Sequence, residues 1–217
     1  MLCALSACTP PPRPAPAPPP PPPPAAPPGP PPFTATEAWT AQPGVVLRGE
    51  GGATVTLPWT FMHLAVLRVD STKLLVRCMA CRGAPAGMVD RAQVVHEVRA
   101  PADAARLELA DIALAVRDAA RRRDYEALRP VMSRDFTWSF TDPEGVLEAF
   151  AAWQGHRAAD LQRLPELLDR GIVSLGPGGV WAAPPEHATQ RGYSDLRAGF
   201  RRGPAGWQLI FLVRPGL

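Results

Sequence analysis

"GWQLIFLV", residues 206–213, is apolar at almost every position. A strand with one solvated face alternates apolar and polar residues, whereas a strand covered on both faces reads as a continuous apolar run. The stretch therefore predicts an inner strand. One face should meet the helix around Leu107, Ile112 and Leu114, and the other needs a cover from further helices or a partner chain. Upstream, Gly203-Pro204-Ala205-Gly206 makes a turn, and "YSDLRAGFRRG" (193–203) is the strand before it. "GIVSLG" (171–176) and "GGVWAAP" (178–184) read as two more strands.

Further outward the pattern turns helical. Residues 103–123 carry Leu107, Ala110, Leu114 and Arg117 at roughly helical spacing, with Ile112, Val116 and Ala119 widening the apolar face. Arg121-Arg122-Arg123 reads as the end of that helix, where cations favour the negative C-terminus. "RDYEALRPVMS" (123–133) is a short helix with a kink or boundary near Arg129, set by Pro130. "DFTWSF" (135–140) is extended, and "DPEGVLEAFAAW" (142–153) and "ADLQRLPELLDR" (159–170) are helical. One long helix, short helices and a terminal hairpin predict an α+β domain over residues 99–217.

Residues 36–98 read differently. "GATVTLPWTFMHLAVLRVD" (52–70), "TKLLVRC" (72–78) and "GMVDRAQVV" (87–95) are short runs rich in Val, Leu and Thr, broken by Gly, Pro and Asp. They predict a small antiparallel barrel. Cys78-Met79-Ala80-Cys81 leaves several readings open: a short-loop disulfide, a zinc site completed by His63 or His96, a redox pair, or two free thiols. The disulfide leads, because two neighbouring cysteines in an oxidising compartment are usually paired. A zinc knuckle needs four ligands, and a redox pair belongs at a helix N-terminus, not after a strand.

The formal net charge of +3 is carried almost wholly by arginine, with Lys73 the only lysine. The basic residues are scattered, so no nucleic-acid surface is expected. No stretch approaches the ~20 apolar residues of a spanning helix. The chain opens with an apolar lead, Cys8, and a tract of proline and alanine. Proline fixes φ and lacks an N–H, so residues 10–32 would extend about 70 Å as polyproline II, a semi-rigid stalk.

Three resemblances follow. Leu5-Ser6-Ala7-Cys8 resembles the lipobox of bacterial lipoproteins, which implies lipidation at Cys8 and a membrane-anchored place in the cell envelope. Residues 1–8 read as a truncated lipoprotein signal and 9–35 as the stalk. Val46-Leu47-Arg48, Thr56-Leu57-Pro58-Trp59-Thr60, Leu64-Ala65-Val66-Leu67 and Gly87-Met88-Val89 resemble a bacterial Src-homology-3-like domain. That family commonly binds cell-wall peptides or other proteins; Met88 stands where it usually has tryptophan. Residues 103–123, "RRRDYEALRPVMSRDFTWSF" (121–140) and the closing strand resemble the cone-shaped nuclear-transport-factor-2-like superfamily, which hosts enzymes, binding modules and dimerisation domains.

By type, Asp135, Tyr193, His156 and His187 are the catalytic candidates of such a cone. Ser194, His187 and Asp195 could be written as a triad, but no Gly-x-Ser-x-Gly elbow accompanies them. Trp138, Phe140, Trp153, Trp181, Tyr193 and Trp207 are the candidate lining of an apolar pocket. The expectation is a lipid-anchored envelope protein with a non-catalytic binding role. Its partner would be a wall component, another protein or a small apolar ligand. No catalytic residue, metal or cofactor is assigned, and a homodimer is a further expectation. An enzyme using the cone and an assembly module are the alternatives.

Overall fold

A computed structural model describes residues 33–99, 106–142 and 144–215. Cys8 and the proline tract up to residue 32 lie outside the described residues. Seven strands form the first sheet: β1 (Glu37–Thr40), β2 (Val45–Arg48), β3 (Thr54–Leu57), β4 (His63–Val69), β5 (Lys73–Cys78), β6 (Ala86–Asp90) and β7 (Val94–Val95). All neighbours pair antiparallel, in the order β3-β2-β6-β5-β4-β1-β7. Leu47, Leu57, Leu64, Leu74 and Val76 fill its core.

After it come α1 (Leu109–Arg122), α2 (Tyr125–Leu128), β8 (Met132–Thr137), α3 (Val146–Gln154) and α4 (Ala158–Asp169). Then follow β9 (Val173–Ser174), β10 (Val180–Ala183), α5 (Glu186–Thr189), β11 (Arg197–Gly203) and β12 (Gly206–Val213). The second sheet has the order β8-β12-β11-β10-β9 and is mixed, because β8 joins β12 in parallel.

This corrects the fold expected from the sequence. The described residues are mostly β, with a seven-stranded antiparallel and a five-stranded mixed sheet. They do not form an α+β cone built on a long helix. The longest helix among the described residues, α1, has 14 residues and spans about 21 Å. It starts only after Glu108, whose N–H donates to Asp111 Oδ2 at 3.2 Å, and it stops where Arg123 turns left-handed at φ 54°. Leu107 and the alanines before it carry the apolar pattern upstream of Glu108, which is why the helix reads longer in the sequence than it is.

The terminal strand lies inside the second sheet, between β8 and β11. Its apolar run serves both faces through a bulge. Phe200 pairs with Leu209 and Gly199 with Phe211, which leaves Ile210 as the extra residue. Leu209 and Leu212 thus belong to the core shared with α1, α3 and α4, while Phe211 and Val213 turn to the opposite face.

That core also takes in Trp39 and Val95 from the first sheet and Phe61 from the connection between β3 and β4. A bridge joins Thr60 to Ile172, whose N–H donates to the Thr60 carbonyl at 2.7 Å. Gly171, at φ +113°, makes the close approach possible, since a Cβ there would lie 2.9 Å from Trp59 Cβ. Gly171→Ala is expected to lower stability by about 1–3 kcal/mol, read as a fall in the urea midpoint without change of slope.

Candidate functional site

Size of hollow alone does not locate a site here. A hollow of about 340 Å³ is bordered by Arg117, Arg121, Arg123, Gln162, Glu166 and Asp169. Its central charges are spent on each other. Arg117 Nε and Nη2 donate to Asp169 Oδ1 and Oδ2 at 2.6 and 2.9 Å, and Trp39 Nε1 donates to the same carboxylate at 2.8 Å. The Arg117 guanidinium also lies 4.4 Å from the centre of the Trp39 ring. This is a structural joint between the first sheet and the helices α1 and α4.

The outer face of the second sheet differs. There Thr137, Phe140, Leu175, His187, Arg197, Phe211 and Val213 border a groove of about 270 Å³. Its floor follows from the bulge in β12. Phe211 packs against Gly199, and a Cβ on that residue would fall 2.1 Å from the ring. The walls are apolar and open, with Phe140 60% and Leu175 40% exposed.

One charged group stands in the groove. Strand alternation buries Leu196 and Ala198 and turns Arg197 outward, half-buried. Its guanidinium sits 5.6 Å from the centre of the Phe140 ring. Its Nη1 is 3.4 Å from His187 Nδ1. A guanidinium can only donate, so Nδ1 accepts and the imidazole proton belongs on Nε2. Burial, and then the Arg197 charge, push the His187 pKa below its ordinary value, so the ring is neutral at pH 7.

The other candidates by type are engaged elsewhere. Asp195 accepts from Arg163 at 2.7 and 3.1 Å, from Arg214 at 2.8 Å and from the Leu196 N–H at 2.7 Å. The Arg163 hydrogen bonds, with the Leu196 N–H next, hold its pKa at about 2. It is a fixed anion with no capacity as a base near neutrality, and a Ser194–His187–Asp195 relay has no geometric support. Tyr193 donates its hydroxyl to the Leu196 carbonyl at 2.9 Å, and its ring centre is 6.0 Å from that of His187. Asp135 and His156 are exposed.

Of the six expected pocket residues, the groove takes Phe140 alone, and Tyr193 stands behind His187. Trp138 and Trp153 lie in the core, and Trp181 and Trp207 pack against it, edge to face at 6.3 Å. Large aromatic side chains bury the most area, so they gravitate to the core. Sequence reasoning missed Thr137, Leu175, Arg197, Phe211 and Val213 as lining. Phe211 and Val213 carried a signal, since the apolar run at 206–213 demanded a cover for its second face.

Cys78 and Cys81 are joined in a disulfide at the end of β5, with Cα atoms 5.4 Å apart. Among the described residues no three His, Cys, Asp or Glu side chains converge as a metal site, and no helix is long and apolar enough to cross a membrane. No protein-family model, curated protein or solved structure matches this chain.

The Asp195 cluster has a definite acid signature. The folded pKa of about 2 lies below the ordinary 3.8. A depressed carboxylate stabilises the fold above its unfolded pKa, and that stabilisation is lost as pH falls through the folded pKa. The stability difference between the wild-type chain and Asp195→Asn should therefore be constant above about pH 4 and shrink towards pH 2. Urea unfolding at a series of pH values measures it; a difference that stays constant down to pH 2 would contradict the assignment.

Proposed function

We propose that this chain is a lipid-anchored protein of the bacterial cell envelope with a non-catalytic binding role, and that it binds through the outer groove of the second sheet. The groove carries the reading: an open hollow with an apolar floor and walls, and a single charged side chain, Arg197. Small-molecule sites have this composition, mostly apolar with a few placed polar groups. The nearby titratable groups argue for binding over chemistry. Asp195 is held by arginines, Tyr193 by a backbone carbonyl, and His187 accepts from Arg197. No nucleophile and base are paired among them.

The anchor rests on Leu5-Ser6-Ala7-Cys8 and on the proline-rich segment that follows. A stalk of that composition would hold a binding domain away from the membrane surface.

Two measurements test this. Expressed with its upstream region in a bacterium, the wild-type chain should partition into the detergent phase, and Cys8→Ser should move it to the aqueous phase. Equal partitioning of the two would refute the anchor. For the groove, the neutral apolar dye Nile red should bind saturably, and Phe140→Ser should weaken it roughly tenfold, the scale of one lost aromatic contact. Phe140 is exposed, so its loss leaves the core intact. Unchanged dye binding in Phe140→Ser would remove the groove as the site.

A further inference from the structure

We propose that the outer groove binds a single-chain anionic amphiphile, an acyl chain ending in a carboxylate, with the chain on Phe140, Leu175 and Phe211 and the carboxylate on Arg197. This rests on the reading of the groove as the binding surface and adds the class of ligand.

Four arginines between residues 157 and 214 have carboxylate partners: Arg163 and Arg214 hold Asp195, Arg214 and Arg157 hold Asp160, and Arg170 holds Glu186. Arg201 and Arg202 of β11 stand in solvent, where water screens them. Arg197 is neither paired nor fully solvated. It is half-buried among Phe140, Phe211 and Val213, and its guanidinium meets no carboxylate among the described residues. Its polar neighbour is the neutral His187. A cation in apolar surroundings is costly unless paired and hydrogen-bonded, so the groove is complementary to an anion.

The number of charges selects the anion. One guanidinium offers a planar fork that matches a carboxylate bidentately. A phosphate monoester carries close to two negative charges at neutral pH, and the groove supplies no second cation. The rest of the lining is apolar apart from Thr137 and His187, which suits a hydrocarbon chain attached to that single head group.

Size excludes a larger partner. A specific protein interface buries ~800 Å² on each side, whereas seven residues border this groove and its volume is about 270 Å³. That is just below the range of drug-sized sites, ~300–1,000 Å³, and fits one short flexible chain.

The test uses the full chain without attached lipid and Nile red as the reporter. Laurate, dodecanol and dodecylammonium compete for it, each below its micelle concentration. Laurate should displace the dye at least tenfold more effectively than dodecanol, and dodecylammonium should be the weakest. Arg197→Gln should weaken laurate roughly ten- to hundredfold, the scale of a lost charge-assisted bond, and change dodecanol by no more than about twofold. Arg197→Lys, which keeps the charge and loses the fork, should fall between. Retained dodecanol binding shows that the variants are folded. If laurate and dodecanol compete equally, or Arg197→Gln weakens both alike, the anionic ligand is wrong and the apolar groove stands. If none of the three displaces the dye and Phe140→Ser leaves dye binding unchanged, both the ligand and the groove reading fall.

Discussion

The ion pair between Arg117 and Asp169, capped by Trp39, is the constraint on which the rest of the structure depends. Arg117 sits on the buried face of α1, Asp169 ends α4, and Trp39 comes from β1 of the first sheet. Arg117 and Trp39 are 5% and 3% exposed. Asp169 keeps 20% of its side chain exposed, so the pair is partly buried, and removing one partner is destabilising because the other charge is left stranded. Asp169 also receives the indole N–H, so its loss strands both donors. The pair therefore acts as a register lock. With it in place, Trp39 stacks on Phe61 at 5.5 Å and both enter the core of the second sheet.

The groove is a consequence of that arrangement. The helices α1, α3 and α4, the first sheet through Trp39 and Val95, and Phe61 between β3 and β4 contribute to the core behind Leu209, Leu212, Phe200 and Ala198. They cover one face of the second sheet. The other face has α5 and the segment around Phe140 at its margin and is open between them. The bulge at Ile210 sends Phe211 and Val213 to this side, and Gly199 leaves room for the Phe211 ring. A strand that could have been covered twice is covered once.

Much of the local structure was legible in the sequence. The run at 206–213 could only be an inner strand, the Gly-Pro-Ala-Gly segment only a turn, and the spacing of Ile112, Val116 and Ala119 placed the buried face of α1. What stayed hidden depends on pairings across the chain. Trp39 and Asp169 are 130 residues apart, and no local pattern announces their contact. The parallel pairing of β8 with β12, which makes the second sheet mixed, is equally non-local. Within the site, selecting residues by type favoured tryptophans, whose area draws them into the core. Arg197 stands out because it is half-buried beside Phe140 and Phe211 with no carboxylate partner among the described residues, which a sequence cannot show.

Native-state hydrogen exchange tests most directly whether the two sheets share one core, since it reads the opening free energy of each segment separately. The ion pair and the shared cluster predict that the best-protected amides of β4 and β5 exchange with the same free energy, and the same urea dependence, as those of β11 and β12. If the first sheet opened at a clearly lower free energy while the second stayed protected, the joint at Trp39, Arg117 and Asp169 would not hold the molecule together, and the account would be contradicted.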